Sequence, residues 1–168
     1  MYGLVAFSFG MRGEKAGPCL SNADLAREVE RIVQEVGDEI AVVAQHEIGS
    51  LLNFTGRKPT ELHLVTEHSR PGVYLDSEEV MAQAAEFFRG LGESPPRIPV
   101  VRNIFVVAQP FLHLTKCRRL AEQAGYVILS WSMSRIRFDR QSTQWWTRSW
   151  YQLLWYAIKQ KLFGHRGR

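Results

Sequence analysis

Short apolar segments alternate with amphipathic helical patterns along the chain, and this alternation constrains the fold more than any other feature of the sequence. The segments are rich in β-branched or aromatic residues and are bounded by Gly, Pro or charged residues; they are residues 4–9, 40–44, 61–66 and 103–108. Most are apolar throughout, which is typical of strands covered on both faces. We therefore predict an α/β fold: one Rossmann-like, doubly wound, mainly parallel sheet with helices on both faces.

Helical patterns, with apolar residues three and four positions apart, fill the intervals between these segments. The four predicted helices are residues 21–36, 47–52, 77–91 and 114–124. Ser21 or Asn22 is the predicted N-cap of the first helix, and Ser77 is the predicted N-cap of the third. Gly125 is the predicted C-cap of the fourth.

The last part of the chain is predicted to hold a late strand region and an aromatic-rich helix. Residues 128–138 fit one or two strands, or a strand and a turn, and residues 144–163 fit a terminal helix rich in Trp and Tyr. Residues 164–168 are expected to fray. With no internal repeat, these elements predict one domain over residues 1–168.

Composition places the chain among ordinary globular proteins. Its 168 residues are 45% hydrophobic and 23% charged, which excludes disordered classes and allows a core without disulfides or metal. Cys19 and Cys117 form no CxxC pair, so we expect reduced thiols and a cytoplasmic location. No apolar run reaches about 18 residues and no basic leader precedes one, which predicts neither a transmembrane segment nor a signal peptide.

Charge is divided unevenly along the chain. Residues 1–100 carry 9 basic and 15 acidic side chains, whereas residues 101–168 carry 12 basic and 2 acidic ones. The basic region can face a phosphate, a nucleic acid or an anionic membrane, or it can be an ordinary solvated surface. We expect a small molecule as the main partner, leave peripheral membrane contact open, and regard nucleic acid as the least favoured partner.

Residues that follow the strands are the first candidates for function, because ligands of doubly wound sheets bind at the carboxyl ends of the strands. The first loop contains Gly10 and reaches Asn22, and glycines before a helix let an anion approach the backbone. Its spacing matches neither GxGxxG nor a P-loop, so a plain connection stays the alternative. Glu47 and Gln109 follow the second and fourth strands. We predict that these four residues line a ligand site.

His113 and Lys116 lie in the segment QPFLHLTK, between the fourth strand and its helix. A histidine there can donate to a ligand or act as acid or base, and a lysine one turn on can hold an anion. We predict that His113 and Glu67, which follows the third strand, share acid–base catalysis and that Lys116 binds the ligand. A structural role for each stays open. The histidines lack HExxH or other metal spacing, so no metal site is predicted.

The order of these motifs resembles the YdcF/SanA/ElyC family, a bacterial group with a Rossmann-like fold and no established reaction. LVAFSFG, ending at Gly10, is similar to the family's first strand and loop. Glu47 in QHEIGSLL and Glu67 in LHLVTEHS fall where the family has acidic residues after strands two and three. YLDSEEVMAQA is similar to the family's Thr-x-Glu-Asn helix start, with Ser77 for Thr and Glu79 for Glu.

The resemblance extends to the second half of the chain. QPFLHLTKCRRLAEQAGY is similar to the family's histidine segment, with His113 at the histidine and Lys116 for an arginine, and SWYQLLWYAIKQ is similar to its terminal helix. The resemblance implies that Ser77 and Glu79 join the ligand site and that the ligand is nucleotide-like or phosphorylated, with S-adenosylmethionine as the cofactor candidate. It also implies a link to cell-envelope biology. Many members carry an N-terminal membrane anchor that is not seen here, so we expect a soluble variant.

Three departures from the family pattern keep the function open. Gln109-Pro110 replaces a Thr-Ser pair, AVVAQHE lacks the family's Gly pair, and Val80 replaces an asparagine. The first hypothesis is a small-molecule-binding protein, with or without catalysis. The second is a non-catalytic binding or interaction module with a degenerate pocket. The third is a basic C-terminal surface that binds nucleic acid or an anionic membrane.

Overall fold

Five parallel strands form one sheet in the computed structural model, which describes residues 1–13, 17–71, 75–93 and 101–163, without the side chains of residues 93 and 160–163. The strands are β1 (Tyr2–Ala6), β2 (Ile40–Gln45), β3 (Glu61–Val65), β4 (Asn103–Val107) and β5 (Val127–Ile128). Their order in the sheet is β3-β2-β1-β4-β5, and every pair is parallel. The predicted doubly wound α/β fold is confirmed.

Helices cover both faces of this sheet. They are α1 (Leu20–Val36), α2 (His46–Gly49), α3 (Ser77–Glu93), α4 (Leu112–Gln123) and α5 (Trp150–Phe163). Residues of α1 and α2 pack in the core layer on one face, and residues of α3 and α4 pack in the layer on the other. The central strands lie between the layers, so β2 is buried at all six positions. This double burial explains why the sequences of the central strands β1, β2 and β4 lack polar alternation.

The beginnings of α1 and α3 differ from the predictions. Cys19 occupies the N-cap of α1 and offers no side-chain hydrogen bond, because Asn22 is used elsewhere: its Oδ1 accepts from Phe9 N at 2.7 Å. At α3 the capping side chain belongs to Asp76, whose Oδ1 accepts from the amides of residues 78 and 79. A carboxylate is a strong N-cap, and it leaves the Ser77 hydroxyl available for another contact.

The region after α4 also departs from the prediction. Only Val127–Ile128 forms a strand, and residues 129–149, here called the C-terminal strap, follow an irregular path over the α1 face. Ile136 and Phe138 of the strap pack in the core layer of that face, so side-chain burial holds it in place of strand pairing. The predicted helix over residues 144–163 is split into a 3-10 turn at Trp145–Thr147 and α5. Residues 164–168, which were expected to fray, lie outside the described residues.

The strand order reverses between β1 and β4. From β1 the chain fills the sheet outward through β2 to β3, then returns to the other side of β1 with β4 and continues to β5. Such a reversal opens a crevice at the carboxyl ends of the two strands that flank it. The residues that follow β1 and β4 therefore define the place to look for a ligand site. Among the described helices, none is long and apolar enough to cross a lipid bilayer.

Candidate functional site

The loop after β1 is tied to the start of α1 by the Asn22 side chain. Its Oδ1 accepts from Phe9 N, and its Nδ2 donates to the Gly10 carbonyl at 3.1 Å. Gly10 has a φ of 87°, and a Cβ added there would lie 2.9 Å from Thr147 Oγ1 and 3.0 Å from Ser142 Oγ. Glycine is required here because the backbone is left-handed and the strap packs directly on it.

A carboxylate of the strap occupies the amino end of α1. Asp139 is 1% exposed and accepts from Leu20 N at 2.9 Å and from Arg12 Nε and Nη2 at 2.7 and 3.0 Å. Burial opposes its ionisation, but the hydrogen bonds from Arg12 and Leu20 outweigh burial and hold the pKa of Asp139 well below its usual range. A free helix amide and a nearby arginine are what an anionic ligand would use. The protein fills this position itself.

The turn after β4 is strained. Phe111 is in the N-cap position of α4 with φ 77° and ψ −120°, a conformation that residues other than glycine rarely adopt. Its carbonyl accepts from Thr115 N at 2.9 Å, and the carbonyl of Gln109 accepts from Leu114 N at 3.0 Å. Strain of this kind persists where the surroundings impose it, and it is found disproportionately at functional sites.

His113 lies in the crevice at the start of α4. Its ring centroid is 5.5 Å from that of Phe9 and 6.4 Å from that of Phe7, the two phenylalanines that follow β1. Its Nε2 is 3.4 Å from Ser77 Oγ at the start of α3. Burial, with the charge of Lys116 as a smaller cause, lowers the pKa of His113 to about 4. The imidazole is therefore neutral at pH 7.

Some of the described side chains at this edge of the sheet have buried polar atoms without hydrogen-bond partners. Among the described residues, the buried side-chain atoms with no hydrogen-bond partner are Arg31 Nε, Glu47 Oε2, Gln109 Oε1, His113 Nδ1 and Arg118 Nε. Three of the five belong to residues that the sequence predicts as ligand-binding or catalytic. Buried polar atoms are rarely left unpaired, so each unpaired atom calls for an explanation such as a bound molecule.

The structure places the remaining predicted residues around α3. Ser77 lies against His113, as described above. Glu79 instead fixes the loop after β3: it accepts from Ser69 N at 2.9 Å and from Gln83 Nε2 at 2.7 Å, and these bonds lower its pKa. Lys116 Nζ lies 3.7 Å from Glu78 Oε1, and both side chains are largely exposed.

Glu67 and His113 are carried by distant strands. β3 and β4 are separated by β2 and β1, and three strand spacings amount to about 14 Å. Among the described residues, no hydrogen bond joins Glu67 to His113; the Glu67 carbonyl accepts from Gln83 Nε2 at 2.9 Å. The acid–base role of this pair stays a prediction.

The sequence did not point to Asp139, Arg12 or Ser142, although they fill half of the crevice. Asp139 is 127 residues from Arg12 and 119 from Leu20 along the chain, so no local pattern connects them. One sign was available: Asp139 is one of only two acidic residues after residue 100. An isolated acid in a basic region is a candidate for a buried ion pair.

Two further observations bear on what the crevice can hold. Within the described ranges, no group of three or more His, Cys, Asp or Glu residues is arranged to bind a metal ion. A cavity of about 340 Å³ lies elsewhere, lined by Tyr2, Val36, Phe105, Leu129 and Ser130. Because Tyr2 begins β1 and Val36 ends α1, this cavity is at the opposite end of the sheet from His113.

Compared with known protein families and with curated proteins, the chain matches neither a family model nor a curated protein. The geometry of its own residues therefore carries the functional conclusion.

Proposed function

We propose that the protein binds a nucleotide-like small molecule at the carboxyl edge of its sheet, with S-adenosylmethionine as the leading candidate. The observation that carries the proposal is the set of unpaired buried atoms there, Glu47 Oε2, Gln109 Oε1 and His113 Nδ1. Their parent residues follow β2 and β4, the two strands beside β1. Two strand spacings, about 10 Å, separate those strands, which a nucleoside can span.

The chemistry of these atoms favours a ligand that donates hydrogen bonds. The oxygens of Glu47 and Gln109 are acceptors, whereas a neutral imidazole nitrogen either donates or accepts according to its tautomer. Ribose hydroxyls and amino groups supply such donors. A nucleoside portion therefore satisfies more of this set than a phosphate does.

A phosphate fits this edge less well for electrostatic reasons. The amide and arginine that could hold it at α1 already hold Asp139, and His113 carries no positive charge at pH 7 because its pKa is lowered to about 4. Lys116 is directed toward Glu78. Of the two ligand classes that the sequence leaves open, we favour the nucleotide-like class, recognised mainly through its nucleoside.

Family, location and chemistry extend this proposal. The motif order supports a YdcF-like protein linked to bacterial cell-envelope biology, with His113 and Glu67 as the candidate acid–base residues. Cys19 and Cys117 are both free and buried, which supports the proposed cytoplasmic location. The unpaired His113 Nδ1 supports a direct contact between this ring and the ligand.

Thermal denaturation with a panel of small molecules tests the proposal. The panel contains S-adenosylmethionine, adenosine, adenosine monophosphate and inorganic phosphate. A ligand at about 100 times its dissociation constant stabilises the folded state enough to raise the melting temperature by about 5 °C. We expect the nucleosides to produce this shift and inorganic phosphate to produce none.

Two variants locate the binding. Gln109→Leu removes the unpaired oxygen, and His113→Phe removes both ring nitrogens but keeps a ring against Phe7 and Phe9. Both should abolish the shift. His63→Phe is the matched control. His63 lies on β3, where its ring stacks on Phe87 of α3, so this variant should keep the shift. No shift with any nucleoside, or a shift that survives both variants, would contradict the proposal.

The second candidate is a non-catalytic binding or interaction module, and one observation favours it. Ser142 and Thr147 of the strap pack against Gly10, and Asp139 occupies the amino end of α1, so the chain fills the β1 side of the crevice. If the nucleosides bind but no substrate is turned over, and Glu67→Gln leaves binding unchanged, this module is the better description.

A further inference from the structure

We propose that the outward face of α5 binds an anionic lipid surface. Of the described α5 side chains, residues 150–159, only Leu153 is buried. The exposed apolar residues of this helix are Trp150, Tyr151, Leu154, Trp155 and Ile158. At 100° per residue they lie within an arc of about 140°, which we call the aromatic face.

Within the described ranges, the rest of the protein leaves this face uncovered. Leu153 anchors α5 in the core layer of the α1 face, and Tyr156 stacks on Trp146 with ring centroids 4.8 Å apart. These contacts use the inner side of the helix. Tyr151 is 79% exposed and Trp155 is 55% exposed, so large rings stand in solvent on the outer side.

The strained turn after β4 extends the aromatic face. Phe111 is 65% exposed, and its ring centroid lies 5.5 Å from that of Trp150. A backbone that is held at positive φ while its apolar side chain faces solvent gains no burial for the strain. A partner surface that buries the Phe111 ring would explain why the strained turn holds this ring outward.

The charge of the sequence segment that contains the aromatic face indicates the kind of surface. From Arg140 to the last residue the chain contains six Arg or Lys residues and no Asp or Glu. Lys159 lies over the Trp155 ring, with Nζ 5.7 Å from the ring centroid, at the border of the face. Trp and Tyr favour the boundary between lipid headgroups and acyl chains, and flanking basic residues favour anionic headgroups.

Two other occupants, a second copy of the chain and nucleic acid, match the aromatic face less well. A second copy that docked through its own α5 would bring two basic regions together, which costs binding free energy. Nucleic acid would be attracted by the positive charge, but it offers no apolar layer for Leu154 and Ile158. An anionic bilayer matches both the charge and the apolar composition of the face.

Vesicle flotation of the full chain tests the proposal. One vesicle preparation is phosphatidylcholine alone, and the other contains equal parts of phosphatidylcholine and phosphatidylglycerol. We expect binding to the anionic vesicles, a blue shift of the tryptophan emission, and weaker binding as NaCl rises from about 0.1 M to about 0.5 M. Binding to phosphatidylcholine should be weak.

A pair of double variants locates the interaction. Tyr151→Ser/Trp155→Ser should weaken binding at least about tenfold, because burial of even one large apolar side chain contributes about that factor. Leu62→Ser/Val127→Ser changes exposed apolar residues on β3 and β5 and should bind as the unaltered chain does. Lys159→Glu should weaken binding to anionic vesicles only.

Several results would overturn the proposal. They are no binding to anionic vesicles at low salt, equal binding to both vesicle types, or equal loss with the two double variants. Sedimentation that shows a dimer broken by Tyr151→Ser/Trp155→Ser would assign the face to a second copy. Tighter binding to duplex DNA than to vesicles would assign it to nucleic acid. The nucleoside-induced thermal shift is independent of all these outcomes.

Discussion

The two sides of the crevice at the strand reversal differ in whether their buried polar groups have hydrogen-bond partners among the described residues. After β1, the loop, the start of α1 and the strap satisfy one another, and Asp139 accepts hydrogen bonds from both Arg12 and Leu20 N. After β4, Gln109 Oε1 and His113 Nδ1 are enclosed without hydrogen-bond partners among the described residues. The chain itself completes the first side, whereas the second is where we propose that a ligand binds.

This difference separates a possible ligand position that the chain fills itself from one where its buried polar atoms stay unpaired among the described residues. The start of α1 is the usual anion position of such sheets, and here a carboxylate of the same chain stands in for the anion. The unpaired atoms on the other side cost stability, so they persist for a reason other than folding. The comparison predicts opposite effects of mutation on the two sides.

The largest expected effect is at Asp139. Asp139→Ala removes the acceptor of Leu20 N and leaves Arg12 without its buried partner, so it should lower the free energy of unfolding by about 3 kcal/mol. Urea denaturation measures the change. Asp38→Ala, at an exposed aspartate before β2, is the control and should change stability little.

Asp139→Ala also empties the anion position at the start of α1. Inorganic phosphate should stabilise Asp139→Ala through Leu20 N and Arg12 but should leave the unaltered chain unaffected. Thermal denaturation with and without phosphate checks this. Equal stabilisation of both proteins would mean that Asp139 does not fill an anion site.

His113 should make stability depend on pH. Its pKa is about 4 in the folded protein and about 6.5 in the unfolded chain. The unfolded state therefore binds more protons over this interval, and stability should fall as pH is lowered from about 6.5 to about 4. We expect a loss of about 2 kcal/mol, less than the full shift implies because the ring is only partly buried.

Denaturation at several pH values, with two variants, assigns this loss to one ring. His113→Phe should remove the slope between pH 6.5 and about pH 5, above the range in which the unfolded chain protonates carboxylates such as Asp139 and Glu79. His63→Phe should retain the slope because His113 is still present. A slope that is unchanged by His113→Phe would show that another group titrates there.

Replacing either of two buried glutamines, Gln45 or Gln109, should change the stability of the protein in opposite directions. Gln45 Oε1 accepts from Ser8 N at 3.0 Å, so Gln45→Leu should destabilise the protein by about 1 kcal/mol. Gln109 is 1% exposed with its oxygen unpaired, so Gln109→Leu should stabilise it by about 0.5 kcal/mol or leave it unchanged. Chemical denaturation measures both. Equal losses in the two variants would remove the distinction.

A further small effect is expected at the strained turn. Phe111→Gly relieves the positive φ at little loss of packing and should stabilise the protein by about 0.5–1 kcal/mol. Phe111→Ala removes the same ring but keeps the strain, so it should not stabilise. A melting temperature that falls in both variants would show that the contact with Trp150 matters more than the backbone.

The sequence was informative where local patterns decide the structure. Apolar segments predicted four strands. Burial on both faces explains this pattern at β1, β2 and β4 but not at the largely exposed edge strand β3. The rule for carboxyl edges led to His113 and Gln109. It failed where distant residues decide. Asn22 was expected to cap α1, but it bonds the loop after β1 because Phe9 N lies within 2.7 Å. Nothing near Asp139 in the sequence indicates that it reaches Leu20.

The strap shows the same limit. Residues 128–138 were expected to form one or two strands, or a strand and a turn, but burial of Ile136 and Phe138 against the α1 face needs no strand pairing. Side-chain placement across more than a hundred residues depends on the assembled sheet. Pattern therefore led to Gln109 and His113 on the β4 side and to Gly10 and Asn22 on the β1 side, but it gave no sign that Asp139 fills the β1 side.

Nitrogen-15 NMR of the His113 ring, recorded against pH and then against added adenosine, tests directly whether a neutral His113 ring contacts the ligand. We expect a neutral ring above about pH 5, because its pKa is about 4, and a displaced Nδ1 resonance when adenosine binds. A ring that titrates near pH 6.5 and whose Nδ1 resonance does not respond to adenosine would contradict this expectation.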